Sequence, residues 1–177
     1  MKFTFKIKPE FSSIDPDKFV VKMAPSEVPW HIALKVLGYV LFFDRKPKIE
    51  QDVGQHYRPD LFCWDEYQEK VALWIDCGNI AVKKIDKVAT SMGKTGEFYI
   101  LRRTKKDAER LREQIKNIKH PERVKIIAFG DGFVDELAER IEATNLLEFH
   151  INGPELFTHF VNYSGWNHFG NTEIINV

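Results

Sequence analysis

Residues 58–78 read RPDLFCWDEYQEKVALWIDCG, in which two apolar, aromatic runs stand on either side of a short polar segment. Runs of this length, bounded by polar residues or glycine, predict two β-strands over residues 58–65 and 70–77. Residues 66–69 are short enough to form the turn of a β-hairpin. If that turn is centred on Gln68, Asp60 on the first strand faces Asp76 on the second.

Two facing carboxylates are the unusual feature of this hairpin. On an antiparallel pair of strands their Cβ atoms lie about 5 Å apart, where like charges destabilise the sheet. A divalent cation or a nearby lysine removes the repulsion, and Mg²⁺ prefers carboxylate oxygens. A turn shifted by one residue would instead place Asp60 and Asp76 on opposite faces of the sheet. The turn centred on Gln68 therefore predicts a cation site.

The rest of the chain alternates strands and helices around the hairpin. Patterning predicts helices over 26–43, with Ser26 as N-cap, and over 80–92, 105–118 and 133–142. It predicts further strands over 2–8, 19–23, 98–101, 124–129, 146–151 and 156–163. We expect one domain over residues 1–177 with an α/β fold. Its predicted architecture is a three-layer sandwich, a mixed central β-sheet flanked by helices on both faces.

Charge is balanced over the 177 residues but unevenly distributed. Residues 83–125 contain 14 Lys and Arg against 6 Asp and Glu, a net charge of +8. Residues 126–177 contain 1 basic and 8 acidic residues, a net charge of −7. The basic block is typical either of a surface that attracts a polyanion or of solvated helix faces.

The two cysteines and the hydropathy bear on compartment. Cys63 and Cys77 each lie inside an apolar strand run and would not face one another, so buried reduced thiols are predicted rather than a disulfide. No charged-then-apolar leader opens the chain, and no apolar run approaches the ~20 residues that cross a bilayer. We therefore expect a soluble cytoplasmic protein that does not bind membranes.

Three short motifs lie along the first part of the chain. Pro25-Ser26-Glu27 opens the first helix, Pro59-Asp60-Leu61 enters the hairpin, and LWIDCG at 73–78 is followed by KKIDK at 83–87. In residue type and spacing over residues 23–103, these motifs resemble the YaeQ family. The family belongs to the PD-(D/E)xK nuclease-fold superfamily. The resemblance implies a restriction-endonuclease-like fold and hydrolysis of nucleic acid that depends on Mg²⁺ or Mn²⁺.

The sequence departs from the family pattern at three positions. Arg58 stands where the family usually has glutamate before the Pro-Asp pair, and Asp76 stands where it has glutamate in the second strand. Gly78 replaces the superfamily's lysine two residues after the second acid. Related families supply that lysine from the following helix. Here Lys84 or Lys87, three residues apart on one helix face, could do so, and Lys83 shares a face with Lys87.

The resemblance also implies roles for individual residues. Asp60, Asp76 and the backbone carbonyl of Cys77 would hold the metal ion, and Glu27 would orient the attacking water. Lys84 or Lys87 would position the nucleophile and neutralise the phosphate. Basic residues after the hairpin would contact the nucleic-acid backbone without reading its sequence. They are Lys83, Lys94, Arg102, Arg103, Lys105 and Lys106.

Each of these residues also has a structural alternative. Asp60 follows Pro59 and is also typical of a turn residue. Glu27 is also typical of an acid that compensates the helix dipole in the first turn. Lysines on helices are usually solvated. For the chain as a whole, the main alternative is a catalytically inactive nuclease fold that binds nucleic acid or a protein partner. A more remote one is a structural subunit whose acidic last third docks a basic partner. The sequence predicts no oligomeric state.

Overall fold

A computed structural model describes residues 1–161 and 168–177, which form ten β-strands and four α-helices. The helices are α1 (Pro29–Leu41), α2 (Val82–Ser91), α3 (Lys105–Ile115) and α4 (Phe133–Glu139). The first five strands are β1 (Lys2–Pro9), β2 (Asp17–Lys22), β3 (Lys48–Ile49), β4 (Leu61–Trp64) and β5 (Val71–Cys77). The others are β6 (Glu97–Arg102), β7 (Val124–Phe129), β8 (Thr144–Asn152), β9 (Glu155–Phe160) and β10 (His168–Asn176).

All ten strands belong to one mixed sheet in the order β2-β1-β8-β9-β10-β7-β6-β5-β4-β3. Strands β5, β6 and β7 run parallel, as do β1 and β8, and the other neighbours are antiparallel. The parallel strands follow from the crossover helices α2 and α3, whereas β8 to β10 form an antiparallel meander. The meander joins the N-terminal hairpin to the central strands.

The two edges of this sheet approach each other across α1. Glu50, which follows the edge strand β3, accepts a hydrogen bond at 3.2 Å from the backbone N–H of Lys22 on the other edge strand, β2. Asp17 of β2 also accepts a hydrogen bond at 2.9 Å from the hydroxyl of Tyr39 on α1. The sheet is therefore nearly closed into a barrel around that helix.

The predicted three-layer sandwich is wrong for this reason. The element order suits a flat central sheet, but ten twisted strands curl, and here they wrap around α1 into a nearly closed barrel, with α2 and α3 packed on its outside. Patterning shows that one side of a strand is buried, but it shows neither strand partners nor curvature. Two strands, β3 and β10, were also not predicted, and Tyr163, placed in the strand over 156–163, lies outside the described residues.

Two apolar cores result from this arrangement. The inner core packs α1 and α4 against residues of both ends of the sheet, including Phe5 on β1 and Leu61 on β4, both fully buried. The outer core packs α2 and α3 against the opposite face of β5 to β7, around Trp74. The end of β5 lies between the two cores, where side chains from α1 and from α2 both reach it.

The central hairpin has the predicted register. Leu61 pairs with Ile75 and Cys63 pairs with Leu73, as a turn centred on Gln68 requires. Gln68 has a positive φ of 57°, and a bulge between Cys63 and Trp64 absorbs the strand twist next to the turn. Asp60 directly precedes β4, so the register places it next to Asp76.

The start of α1 differs from the prediction. The helix begins at Pro29, and the residue before it, Val28, makes no side-chain cap hydrogen bond, so Ser26 is not the N-cap. Proline suits the first helical position because its missing N–H would have no partner there. Both cysteines are free thiols, as predicted, but only Cys77 is buried, whereas Cys63 is half-buried. Within the described residues, no helix combines the length and the apolar character needed to cross a bilayer.

Candidate functional site

Three ionisable residues spaced four apart form the first half of the site. Glu27 precedes α1, and His31 and Lys35 follow on the same side of the helix. The Nζ of Lys35 donates hydrogen bonds of 2.6 Å to Oε1 of Glu27 and to Oε1 of Glu50. Nδ1 of His31 lies 2.6 Å from the same Glu27 oxygen. Lys35 therefore ties the helix to the loop after β3.

Asp60 brings the hairpin into this cluster. Its Oδ2 accepts a hydrogen bond of 2.7 Å from the backbone N–H of Cys77 and lies 3.5 Å from Nε2 of His31. Its Oδ1 lies 3.7 Å from Nζ of Lys35. The Asp60 side chain retains 18% of its exposure, whereas that of Lys35 retains 4%. The cluster is therefore closed around Lys35 and open to solvent at Asp60.

The pKa shifts of Glu27, His31, Lys35 and Asp60 all favour the charged form of each side chain. Burial would lower the pKa of Lys35, but the surrounding carboxylates raise it above its ordinary value. Burial would raise the pKa of Asp60, but His31 and Lys35 hold it below its usual range. The pKa of Glu27 is likewise lowered, because its hydrogen bond from Lys35 helps to outweigh burial. The Asp60 carboxylate raises the pKa of His31 against the effect of burial.

Asp76 and Lys84 form the second half of the site. The carboxylate of Asp76 is fully buried at the end of β5, and its Oδ1 accepts a hydrogen bond of 2.9 Å from Nζ of Lys84 on α2. The same ammonium donates a hydrogen bond of 2.9 Å to the backbone carbonyl of Arg58. It also lies 5.9 Å from the centre of the Trp74 ring. From the first turn of α2, Lys84 thus reaches back both to β5 and to the segment that precedes β4.

Asp76 differs from Asp60 in its electrostatic environment. Burial raises the pKa of Asp76 to about 6, although Lys84 opposes the shift, and the charge of Asp60 adds to it. Among the described residues, Oδ2 of Asp76 has no hydrogen-bond partner. The two neighbouring carboxylates are therefore shifted in opposite directions, a pattern found at many catalytic sites.

Five of the predicted site residues lie in the two halves of the site: Glu27, Asp60 and Cys77 in the first, Asp76 and Lys84 in the second. The charge of Asp60, which raises the pKa of Asp76, couples the two halves. Lys87 and Lys83 instead line a surface groove with His56 and Tyr57. The predicted nucleic-acid-binding residues lie at separate places. Lys94 lines a groove with Arg123 and Lys125, Lys105 pairs with Glu173 at 2.9 Å, Lys106 is exposed at the start of α3, and Arg102 and Arg103 line a pocket beside Gly78.

Three residues of the cluster were not predicted as site residues: His31, Lys35 and Glu50. The spacing of Glu27, His31 and Lys35 could have indicated the first two, because residues four apart share a helix face. Glu50 has no comparable signal, since it lies in a loop and reaches the cluster only through the tertiary fold.

A divalent ion would find a small set of protein ligands here. Among residues 1–161 and 168–177, no group of three or more His, Cys, Asp or Glu side chains could hold a metal. The candidate ligands are thus two carboxylates, Asp60 and Asp76, with the backbone carbonyl of Cys77. That set suits Mg²⁺, which usually takes one or two carboxylates and fills its other positions with water and substrate phosphate. The buried Asp76 Oδ2 without a partner is consistent with this fit.

Comparison with known proteins now identifies the family. The family model described as YaeQ protein matches residues 13–162. The chain belongs to the YaeQ family. The YaeQ protein from Xanthomonas axonopodis pv. citri has a similar crystal structure, with a TM-score of 0.76 and 14% sequence identity over 99% of this chain and 97% of that one. The YaeQ protein from Pseudomonas syringae gives a TM-score of 0.75 and 16% identity over 99% and 94%. Comparison with curated proteins gave no significant match.

The backbone explains why this YaeQ chain has glycine at position 78. Gly78 has a φ of +74°, and a Cβ added there would lie 2.9 Å from Cζ3 of the Trp30 ring. Any side chain at this position would meet both backbone strain and a steric clash. A lysine that reaches this end of β5 would therefore come from another element.

We expect Gly78→Ala to lower the free energy of unfolding by about 1–3 kcal/mol from the strained φ alone, and further through the contact with Trp30. Gly93→Ala is the matched control, because Gly93 also has a positive φ, +66°, but no atom within 4 Å of an added Cβ. Urea unfolding of both variants measures the difference. Equal losses would show that Trp30 does not restrict position 78.

Proposed function

We propose that this YaeQ chain is a nuclease-like hydrolase that cleaves phosphodiester bonds of nucleic acid with Mg²⁺ or Mn²⁺. The observation that carries the proposal is the position of Lys84, whose ammonium lies 2.9 Å from the buried Asp76 carboxylate. The signature Pro-Asp, acid and lysine of the PD-(D/E)xK superfamily would then be complete in space, with Pro59 and Asp60 entering the hairpin and Lys84 replacing the lysine absent at position 78.

The residues divide into metal ligands and groups that act on substrate. Asp60, Asp76 and the Cys77 carbonyl would hold the ion, which when bound would lower the pKa of water and stabilise charge on a phosphate oxygen. Lys84, whose side chain keeps 20% of its exposure, would neutralise charge that develops on the phosphate.

Glu27, His31, Lys35 and Glu50, here called the α1 cluster, would act by positioning Asp60. Glu27 was expected to orient water, but its Oε1 already accepts a hydrogen bond from Lys35 and contacts His31. Both of these residues also lie within 4 Å of the Asp60 carboxylate. Glu27 is therefore best described as a positioning residue, which holds His31 and Lys35, and these two side chains in turn contact Asp60. Such support keeps a ligand in the productive orientation.

Metal titration and nucleic-acid cleavage test this proposal together. With Mn²⁺ at about 100 times its dissociation constant, the wild-type chain should gain about 2.7 kcal/mol of stability, and it should nick DNA or RNA. Asp60→Asn and Asp76→Asn should abolish both effects. Asp76→Asn should fold normally, because burial already disfavours the charged carboxylate. Asp44→Asn, at an exposed aspartate, is the control that should change neither readout.

The alternative function would give a different result. A catalytically inactive YaeQ domain would bind nucleic acid or a protein partner and cleave none of a panel of single-stranded, double-stranded and structured substrates. Metal-dependent stabilisation without cleavage would favour that alternative. Absence of both effects would contradict the metal site itself.

A further inference from the structure

A second polar pocket lies next to the proposed catalytic residues. It has a volume of about 160 Å³ and lies beside Gly78, at the end of β5 and the start of α3. Its side chains are three arginines, one aspartate, one asparagine and one tryptophan: Arg102, Arg103, Arg110, Asp107, Asn79 and Trp30. Three guanidinium groups against one carboxylate give the lining a net charge of +2, so the pocket favours an anion.

Arg102 is the buried donor of this pocket. The residue is 9% exposed, and its Nη1 donates a hydrogen bond of 2.6 Å to the carbonyl of Gly78. Its Nε is buried and, within the described part of the chain, makes no hydrogen bond. A buried donor without a partner carries a free-energy cost in the fold, so this guanidinium is not fully satisfied by the protein itself. Burial lowers the pKa of Arg102, and nearby Arg110 lowers it further against the effect of Asp107.

Arg103 and Arg110 complete the positive lining from two other directions. The guanidinium of Arg103 lies 5.4 Å from the centre of the Trp30 ring, and its Nη1 lies 3.3 Å from Asp135, so its plane is held in place. Arg110 is exposed on α3 and can adjust to a ligand. Planar guanidinium groups bind phosphate through paired hydrogen bonds, which a lysine cannot reproduce.

We propose that this arginine pocket binds one phosphate group of the nucleic-acid substrate. The role of the pocket rests on the proposed function, because Gly78, which lines the pocket, directly follows β5 and lies two residues after Asp76. A phosphate held there would fix the strand beside the proposed metal ligands. The phosphate is either an internal diester of the strand or a terminal monoester, and these two sources can be separated by experiment.

Binding without metal tests the pocket separately from catalysis. Dissociation constants are measured in EDTA for one DNA oligonucleotide prepared with a 5′-phosphate, with a 3′-phosphate, or with hydroxyl groups at both ends. Inorganic phosphate is added as a competitor. Arg110→Gln removes an exposed guanidinium of the pocket, and Arg102→Lys keeps a charge but removes Nε. Arg112→Gln is the matched control, an exposed arginine on the same helix that lies outside the pocket.

We expect Arg110→Gln and Arg102→Lys to weaken binding by about tenfold or more, Arg112→Gln to have no such effect, and inorganic phosphate to compete only where the pocket is intact. If the variants lose affinity only for the oligonucleotide with a 5′-phosphate, or only for the one with a 3′-phosphate, the pocket binds a terminal phosphate. If they lose the same affinity for all three oligonucleotides, the pocket binds an internal phosphate. If Arg102→Lys fails to fold, Arg110→Gln alone decides. Unchanged affinity in the folded pocket variants, or the same loss in Arg112→Gln, would overturn the proposal.

The outcomes for the pocket and for the hydrolase are distinguishable. Asp76→Asn should lose cleavage and keep the arginine-dependent affinity. Phosphate binding without cleavage by the wild-type chain would contradict the hydrolase and leave the pocket intact. If the wild-type chain cleaves nucleic acid but substitutions at Arg102 and Arg110 leave its affinity unchanged, only the pocket proposal is contradicted.

Discussion

Replacing Lys35 with methionine is expected to cost about 3–5 kcal/mol of the free energy of unfolding at pH 7, because it leaves carboxylates uncompensated in a buried site. Lys35 lies 2.6 Å from Glu27, 2.6 Å from Glu50 and 3.7 Å from Asp60, with 4% of its side chain exposed. Methionine keeps most of the length of the stem, so the loss measures charge more than packing. Total stabilities of 5–15 kcal/mol make this a large effect.

The size of the loss should depend on pH. The pKa values of Glu27 and Asp60 are lowered from 4.5 and 3.8 in the folded chain, so their contribution is present above those values and lost as the pH falls. Without Lys35 both groups protonate more readily. The difference in free energy of unfolding between wild type and Lys35→Met should therefore be largest at pH 7 and smaller near pH 4. Urea unfolding at the two pH values measures it.

Lys116→Met is the control for this experiment. Lys116 also pairs with a carboxylate, at 2.9 Å from Glu113, but both side chains are more than half exposed. Such surface pairs contribute about 0–1 kcal/mol. Similar losses in Lys35→Met and Lys116→Met would contradict the description of the α1 cluster as a buried charged network.

The sequence predicted the register of the central hairpin correctly. Polar and apolar patterning, with a turn centred on Gln68, gave the observed pairing of Leu61 with Ile75 and of Cys63 with Leu73. The register could be predicted because a turn of this length fixes the pairing of the strands that it joins. Lys84 was one of two lysines proposed for the site, and only the direction of its side chain from α2 separates it from Lys87.

The rest of the fold and site depends on contacts between distant segments. The closure of the sheet rests on Glu50 meeting Lys22, two residues whose local sequences carry no sign of each other. Strand β10 contains glycine and several polar residues, with only His168 and Ile175 buried, so patterning does not predict it. Lys35 resembles a solvated helix lysine until Glu27, Glu50 and the hairpin close around it.

The second large effect concerns the lysine that completes the site. Lys84→Met should lower the rate of metal-dependent cleavage by about 100-fold or more, because it removes a charge placed to stabilise the reacting phosphate. Lys84 is not a proposed metal ligand, so Mn²⁺ should still stabilise this variant, unlike Asp76→Asn. Lys84→Arg should recover part of the rate, since it restores the charge with a different geometry.

Single-turnover cleavage by Lys84→Met and Lys87→Met, with Mn²⁺ saturating and both variants shown to be folded, tests the central claim most directly. The account predicts a large loss for Lys84, which contacts Asp76, and a much smaller loss for Lys87, which faces the groove beside His56 and Tyr57. A wild-type rate in Lys84→Met, or a loss confined to Lys87→Met, would contradict the claim that Lys84 replaces the lysine absent at position 78.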